Sequence, residues 1–519
     1  MAQILIVNGK LRLRNGRIAL AGGVALPSNP PVPSEPETPP TSGVTVALVS
    51  DVKNQQVYQR VGTSKQVPVA VTYSGGQPSA IEARVVDATT FAAASAWQVI
   101  DPAPANGAGA GLLTVPQGCW YLLEVRAAGG AVTRGVNKFG VGAVIGLIGQ
   151  SNMVNFVGSG DTYPVGHPNS IYFSATSTYL RIGNTSTTNP PNHPTSTGNM
   201  VSGSVRGGGP VYLANMLTME LGVPVLLVDK PVGGSNIASW TDGTVGNNWS
   251  EFKDKLILAG GDMEACFWYQ GESNAYNATE AYMQERWGVL YAQCLAQTGR
   301  TTDTFKMGMI SLGPGSYVGS TEGEFGQFRV WQRDYSKAAP GWFYAAAAHA
   351  SGSSTDHVHV GGHANRGRYM ARSYLALKGY GVPGAGPFIT GATRSGLVVT
   401  LAVTHSGGTA LKDGASGTGS ALTGYRFFDA GAGGAQIAYT ATAIVDNSIQ
   451  ITLASAPIGA LTFDYAITDV PHGAYYDNGS GDKGMTFDAA TCVYDNVAMP
   501  NMTYGFPLQP CAAMAVTGA

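Results

Sequence analysis

Residues 144–153 read Val144-Ile145-Gly146-Leu147-Ile148-Gly149-Gln150-Ser151-Asn152-Met153, an apolar run that stops at a glycine and a serine. Such a run predicts a buried strand, and the Gly, Ser and Asn that follow predict a sharp turn at its end. A serine in that position has an exposed hydroxyl held by a rigid sheet, which is where a nucleophile is useful. The same residues are common in plain turns, so the catalytic interpretation depends on partners elsewhere in the chain.

Four further apolar runs follow, at intervals that leave room for helices. They are 225–228, 265–269, 307–312 and 342–346, and helices are predicted near 209–221, 276–297, 325–337 and 361–378. Alternating strands and helices predict a mainly parallel sheet covered on both faces. We therefore expect a central α/β domain over 141–382, with its functional groups at the carboxyl ends of the strands.

The segments on either side of this domain are rich in short strands and glycine turns. In 1–26, Asn8-Gly9 and Asn15-Gly16 are strong hairpin signals, and we interpret this segment as a β-meander and a candidate attachment element. A proline-rich linker over 27–43 follows, and β-sandwich domains are predicted over 44–140 and 383–519. A chain of 519 residues is expected to divide into several domains.

The composition argues against several classes of function. Charged residues make up 12% of the chain and the formal net charge is -2, so no general attraction to nucleic acid or to anionic membranes is expected. No apolar stretch reaches the roughly 18 residues of a membrane span, and the first residues lack the basic start of a Sec signal. The five cysteines are scattered without metal-ligand spacing. We therefore predict no disulfide framework, no metal and no cofactor.

Three more polar segments lie where predicted strands end or where a helix begins. They are Lys230-Pro231-Val232-Gly233-Gly234-Ser235-Asn236-Ile237, Gln270-Gly271-Glu272-Ser273-Asn274-Ala275 and Asp356-His357-Val358-His359. A serine needs a base to take its proton, and a histidine does this when a carboxylate fixes its tautomer. Asp356 and His359 are three residues apart, a spacing that lets one turn aim both side chains at the same place. The amides of Ser151 and Gly234 and the side chain of Gln270 are candidate donors to an oxyanion.

Two other residues compete for the catalytic roles. Ser273 lies in a second Gly-x-Ser segment, but neither Ser273 nor Ser151 has the glycine two positions later that an α/β-hydrolase elbow requires, which disfavours the familiar lipase fold. His357 competes with His359 as the base, and the offset from Asp356 favours His359. His363, one turn further on, is expected to be a solvent-facing or structural helix residue.

These motifs resemble those of the SGNH (GDSL-like) hydrolase superfamily, specifically its sialate O-acetylesterase-like branch, which includes carbohydrate esterase family six. Over roughly 140–380 the matching motifs occur in the same order: Gly-Gln-Ser-Asn-Met, Gly-Gly-Ser-x-Ile-x-x-Trp at 233–240, Trp-Tyr-Gln-Gly-Glu-Ser-Asn-Ala at 268–275, and Asp-x-x-His. The resemblance implies a flavodoxin-like α/β/α sandwich with Ser151 as nucleophile, His359 as base and Asp356 as its orienting partner. It also implies that Gly234 and Gln270 are oxyanion donors, with Gln270 standing where other branches of the superfamily use Asn.

The sequence therefore predicts a carbohydrate O-acetylesterase that forms an acetyl-enzyme. The candidate substrate-binding residues are Gln150, Glu272, Asn274 and Trp240. We expect an O-acetylated polysaccharide as substrate. The expected setting is extracellular or on a phage tail, with the N-terminal segment serving for attachment. A homo-oligomer is one expected assembly of the chain. The alternatives are an inactive glycan-binding tail protein, and a lipase or thioesterase of the same superfamily. The latter needs a long apolar acyl groove, which the polar motif segments do not suggest.

Overall fold

The structure is a computed structural model that describes most of the chain. The described residues are 6–7, 10–11, 13–14, 17–18, 43–158, 167–173, 179–182, 208–315, 321–350, 359–382, 384–414, 421–468, 470–472, 475–477, 483–485, 488, 491–497 and 505–518. The chain divides into two compact units. The first comprises Met1–Ala143 with Leu221–Pro224, and the second comprises Val144–Glu220 with Val225–Ala519.

The first unit is built of strands. They are β1 Ile6–Val7, β2 Lys10–Leu11, β3 Leu13–Arg14, β4 Arg17–Ile18, β5 Thr45–Leu48, β6 Gln56–Gln59, β7 Ser64–Ser74, β8 Ile81–Asp87, β9 Gln98–Asp101, β10 Ala108–Pro116, β11 Gly118–Ala127, β12 Thr133–Arg134 and the start of β13 Phe139–Gly149. Strand β1 pairs with β2, and β3 pairs with β4, on either side of the two Asn-Gly pairs, so both predicted hairpins are confirmed.

The larger strands of the first unit form two sheets with a common core. One sheet has the order β10-β7-β5, and in the other β11 lies between β13 and β8, with β9 at the edge. Strand β7 turns Val67, Val69 and Val71 inward and its alternate residues outward, as the two-residue period of a half-buried strand requires. These valines pack with Val85 and Leu123 of the second sheet in one hydrophobic cluster. Two sheets packed in this way have the geometry of a β-sandwich.

The second unit begins with alternating helices and strands. They are α1 Ser151–Gly158, β14 Ser170–Phe173, β15 Tyr179–Arg181, α2 Gly208–Leu221, β16 Val225–Asp229, α3 Ala238–Thr241, α4 Asn248–Leu258, β17 Ala265–Tyr269, α5 Glu280–Thr298, β18 Lys306–Ser311, α6 Glu324–Ala338, β19 Trp342–Ala347 and α7 His363–Leu377. The sheet order is β15-β14-β16-β13-β17-β18-β19. Strands β13, β17, β18 and β19 pair in parallel, and only the edge pair β14 and β15 is antiparallel among the pairs described for this sheet. The predicted, mainly parallel α/β sheet is confirmed.

The strand order of this sheet reverses at β13. Strand β16 lies on one side of β13 and β17 on the other, and open α/β sheets bind their ligands at such a reversal, outside the carboxyl ends of the strands. All residues of β13, β16 and β17 are buried, which explains their near-continuous apolar sequences. We therefore expect the functional site in the loops that leave these three strands.

The remainder of the second unit is again rich in strands. They are β20 Phe388–Ser395, β21 Val398–Thr404, β22 Leu411–Asp413, β23 Tyr425–Asp429, β24 Ala435–Ile437, β25 Tyr439–Val445, β26 Ser448–Leu453, β27 Leu461–Tyr465, β28 Tyr475–Asp477, β29 Lys483–Met485, β30 Val493–Asp495 and β31 Cys511–Val516, with a 3₁₀ turn at Ala430–Ala432. The sheets β20-β21-β26-β25 and β24-β23-β27-β31 share a core that includes Leu401, Phe427, Ile451 and Phe463.

These C-terminal strands pack on the last two helices of the α/β part. Arg329 of α6 is fully buried and donates to the carbonyl oxygens of Ala466 at 2.7 Å and Thr468 at 2.9 Å. The hydroxyl of Tyr369 on α7 donates to the carbonyl oxygen of Gly505 at 3.1 Å. Buried hydrogen bonds to backbone groups hold the C-terminal strands against α6 and α7. No helix in the described parts of the chain has both the length and the apolar character of a membrane span.

Candidate active site

Ser151 is the first residue of α1 and follows the turn at the end of β13. Gly149 permits this turn, because its φ is 144° and a side chain there would begin 2.0 Å from the carbonyl oxygen of Tyr269 on β17. Ser151 is half-buried, whereas Asn152 and Met153 are buried. The amide of Ser151 stands at the amino end of a helix, where N–H groups have no partner within the helix. Ser151 therefore carries both the candidate nucleophilic hydroxyl and a backbone N–H that can donate a hydrogen bond to an oxyanion.

Gln150 ties the Ser151 turn to the loop that follows β17. Its Oε1 accepts hydrogen bonds from the amides of Gly271 and Ser273, each at 3.2 Å. Its own amide donates to the carbonyl oxygen of Tyr269 at 3.0 Å. Gln150 is only 2% exposed, so this predicted substrate-binding residue acts here as a link between two loops.

The loop after β16 joins the same edge of the sheet. The hydroxyl of Ser273 donates to the carbonyl oxygen of Gly234 at 3.3 Å, and Oδ1 of Asn274 accepts from the amide of Ile237 at 2.9 Å. Gly234 is exposed, with a φ of 69° and open space where a side chain would lie. An exposed glycine with open space at the position of a β-carbon leaves room for a substrate beside its backbone.

Gln270 is fully buried, and the nitrogen of its side-chain amide is already engaged. Its Nε2 donates to the carbonyl oxygen of Ser235 at 3.3 Å and to Oδ1 of Asn274 at 2.7 Å. An amide nitrogen carries two protons, so a bond from Gln270 to an oxyanion requires the longer contact with Ser235 to be given up. Asn274, which is 6% exposed, is held by Gln270 and Ile237 through the same oxygen, which fixes its orientation.

Trp240 lies in the core rather than on the substrate side of the loop. Its side chain is fully buried, its Nε1 donates to Oγ of Ser235 at 3.0 Å, and its ring packs edge-on against Trp268 with a centroid distance of 5.4 Å. The ring therefore has no face left for a sugar. We correct the expected substrate role of Trp240 on this ground, because a fully buried ring packed against Trp268 cannot stack on a sugar.

Glu272 is a buried carboxylate, 1% exposed, beside the segment of the predicted base. Nδ2 of Asn152 donates to its Oε1 at 2.5 Å. Burial raises the pKa of Glu272, while the hydrogen bond from Asn152 and the charge of His359 act in the opposite direction. Glu272 is therefore buried and bound to Asn152, which gives a direct substrate contact little room.

His359 is half-buried and begins the described segment that leads into α7. It interacts electrostatically with Glu272 and His363, and the amide of the next residue, Val360, donates to Oδ1 of Asn152 at 3.1 Å. The residue after the predicted nucleophile thus binds the residue after the predicted base. A direct hydrogen bond between Ser151 and His359 stays a prediction; catalytic hydrogen bonds often tighten only when substrate binds.

Two further candidates for the catalytic roles come from the motif that ends at His359. Asp356 and His357 lie outside the described residues. The assignment of Asp356 as the orienting carboxylate and the choice between His357 and His359 therefore stay predictions.

His363 and Arg366 support this segment from α7. His363 is buried, with its Nδ1 2.8 Å from a guanidinium nitrogen of Arg366, so it is a structural residue and does not face solvent. Burial and the charge of Arg366 lower the pKa of His363 to about 2. Arg366 donates to the carbonyl oxygens of Val360 and Gly361 at 3.1 and 2.5 Å. Sequence reasoning missed Arg366 and Asn152 because their partners include backbone groups of Val360 and Gly361, which leave no sequence pattern.

The fold and the site together define an α/β enzyme whose functional loops meet where the strand order reverses. Within the described residues, no group of three or more His, Cys, Asp or Glu side chains could hold a metal ion. Residues 142–376 match the model of a family described as carbohydrate esterase, sialic acid-specific acetylesterase. This match confirms the predicted family resemblance and the predicted class of enzyme, a carbohydrate O-acetylesterase.

This chain is also similar to solved structures. The crystal structure of a carbohydrate acetylesterase from Xanthomonas citri matches with a TM-score of 0.56 at 18% identity, over 90% of this chain and 99% of that chain. A protein from Arabidopsis thaliana matches at 17% identity over 45% of this chain and 98% of its own, with a TM-score of 0.35. No curated protein sequence matches this chain. The first match supports the α/β fold, while the predicted boundaries of the flanking domains and the roles of the site residues stay predictions.

Proposed function

We propose that the protein removes O-acetyl groups from a carbohydrate by a serine mechanism. Ser151 attacks the acetyl carbonyl carbon, His359 takes the proton from its hydroxyl, and Asp356 orients His359. The oxyanion is bound by the amides of Ser151 and Gly234, and Gln270 gives up its contact with Ser235 to serve as the third donor. The ester bond to the sugar oxygen then breaks, and the sugar leaves with the proton from His359. Water activated by His359 hydrolyses the acetyl-enzyme to acetate.

The observation that carries this proposal is a set of hydrogen bonds among four motifs that are far apart in the sequence. Gln150 binds the loop at 271–273, Ser273 binds Gly234, and Asn152 binds Val360. The loops that contain these residues include those leaving β13, β16 and β17, on both sides of the reversal in strand order. The family of residues 142–376 supports deacetylation as the reaction.

We further propose that the substrate is an O-acetylated polysaccharide or cell-surface glycan, encountered outside the cell or on a phage tail. Strand-rich regions before and after the α/β part support this setting, by analogy with modules that serve binding or assembly in other proteins. The two short hairpins within residues 6–18 support the proposed attachment element, and with it a homo-oligomer. Acetate release from a panel of acetylated bacterial and plant polysaccharides tests the substrate, and light scattering tests the oligomer.

Kinetics of wild type and Ser151→Ala test the mechanism. With p-nitrophenyl acetate and with an acetylated polysaccharide, we expect Ser151→Ala to lose roughly a million-fold in kcat, down to background. Equal rates for the two proteins would overturn the serine mechanism. Glycan binding without acetate release by the wild type would instead favour the inactive glycan-binding alternative.

A further inference from the structure

Two buried side chains hold the backbone of Val360, the residue after His359. The Val360 amide donates to Oδ1 of Asn152 at 3.1 Å, and the Val360 carbonyl oxygen accepts from Nη2 of Arg366 at 3.1 Å. The same Nη2 donates to the carbonyl oxygen of Gly361 at 2.5 Å. Both side chains are almost completely buried. Hydrogen bonds are stronger in such a low-dielectric setting, and losing one partner there is costly.

Glu272 determines which way the amide of Asn152 points. Nδ2 of Asn152 donates to Oε1 of Glu272 at 2.5 Å, so its Oδ1 is left to accept from Val360. With the two atoms exchanged, an amide oxygen would face a carboxylate and an amide N–H would face another N–H. Among the described residues, the second oxygen of Glu272, Oε2, is buried without a hydrogen-bond partner. A buried carboxylate that is only partly satisfied is costly, which favours a functional reason for its presence.

We propose that Asn152, Glu272 and Arg366 are positioning residues that hold His359 in register with Ser151. The inference rests on the proposed function, since it assigns these residues a role only if Ser151 and His359 carry the reaction. Asn152 is adjacent in sequence to Ser151 and binds the neighbour of His359 across 208 positions, so one side chain connects the two catalytic segments. A misplacement of about 1 Å in such a pair costs roughly 100-fold in rate.

Exchanging the polar groups at positions 152 and 272 tests the proposal. Asn152→Asp places two buried carboxylates face to face, and we expect kcat to fall about 10- to 100-fold while KM stays within about threefold. In the double variant Asn152→Asp with Glu272→Gln, the glutamine amide donates to the new aspartate, whose other oxygen still accepts from Val360. We expect this double variant to recover at least about tenfold of the lost kcat. If the hydrogen bond between Asn152 and Glu272 is merely structural, its loss should lower the free energy of unfolding and leave kcat per folded molecule unchanged.

Glu264→Gln is the matched control. Glu264 is a buried carboxylate next to the opposite, amino end of β17, where it accepts from the hydroxyl of Tyr374 at 2.8 Å. Because this carboxylate lies away from the loops that carry Ser151 and His359, we expect the control variant to keep wild-type kcat. Arg366→Lys retains the charge at position 366 and loses the planar fork, so we expect it to lower kcat as Asn152→Asp does.

The outcomes separate this proposal from the proposed function. If Ser151→Ala is inactive while Asn152→Asp retains wild-type kcat, the positioning role is overturned and the serine mechanism stands. An active Ser151→Ala variant overturns the serine mechanism itself. If Asn152→Asp does not fold, Glu272→Gln and Arg366→Lys decide, and wild-type kcat in both overturns the positioning role.

Discussion

Replacing Gly149 with alanine is expected to force apart the ends of β13 and β17. The new β-carbon would lie 2.0 Å from the carbonyl oxygen of Tyr269 and 2.6 Å from its carbonyl carbon. Ordinary contact begins at 3.4 Å, so one strand end must move by about 1.4 Å, because backbone atoms cannot rotate out of the way. That movement would shift Ser151 away from the loop that Gln150 binds.

The size of the effect follows from two contributions. A residue forced into a backbone conformation closed to L-residues costs about 1–3 kcal/mol, and overpacking costs a similar amount, so the free energy of unfolding should fall by about 2–6 kcal/mol. A displacement of about 1 Å at the nucleophile should lower kcat/KM by roughly 100-fold. Urea denaturation measures the first quantity, and hydrolysis of p-nitrophenyl acetate by the folded fraction measures the second. Wild-type stability together with wild-type kcat/KM would refute the reasoning.

Gly243→Ala is the control for the backbone contribution. Gly243 also has a positive φ, 75°, but no atom lies within 4 Å of the point where its side chain would begin. This variant should lose only about 1–2 kcal/mol, the cost of a left-handed backbone, and should keep full activity.

Three further predictions concern other parts of the molecule. Ser273→Ala should keep most of the wild-type kcat with p-nitrophenyl acetate, because the Ser273 hydroxyl is engaged with the carbonyl oxygen of Gly234. A loss of kcat as large as that of Ser151→Ala would contradict the choice of Ser151 over Ser273 as the nucleophile. Arg329→Met should lower the free energy of unfolding by roughly 3 kcal/mol or more, since the carbonyl oxygens of Gly313, Ala466 and Thr468 lose the hydrogen bonds that Arg329 donates. An unchanged urea midpoint would contradict this. Burial, and then the charge of Arg329, lower the pKa of His472 to about 3. Between a pH of about 6.5 and 3, the unfolded chain therefore binds a proton that the folded protein does not. The free energy of unfolding of the wild type should fall by about 1.4 kcal/mol per pH unit from this residue as the pH falls through that window. His472→Gln should lack this component, and parallel stability curves for the two proteins over that window would disprove it.

The strands of the central sheet could be predicted because they are buried on both faces. Strands β13, β16 and β17 therefore appear as unbroken apolar runs, and the five strands expected in this domain are all present. Helices α1, α3 and α4 were missed. Helix α3 is a single turn, and α4 mixes Lys, Glu and Asp with its apolar residues, which hides its periodicity. Asn247, whose side chain caps α4 by accepting from the amide of Ser250, was the available signal.

Only those residues of the candidate site that can be recognised from their neighbours in the sequence could be predicted. Ser151 stands out because a strand ends beside it. The link from Asn152 to Val360 joins residues 208 positions apart through a backbone amide, so no spacing rule could reveal it. Trp240 was expected near substrate because it follows a strand-end loop, yet the same position suits a core residue equally well, and only the packing against Trp268 decides. The engagement of Gln270 with Ser235 and Asn274 likewise depends on tertiary contacts.

Trapping the acetyl-enzyme tests the central claim most directly. Wild type and Ser151→Ala are each mixed with p-nitrophenyl acetate, quenched in acid during turnover, digested and examined by mass spectrometry. The serine mechanism predicts an acetyl group on the peptide that contains Ser151 in the wild type, at that residue, and none in the variant. An acetyl group on Ser273, or turnover without any acetylated serine, would contradict it.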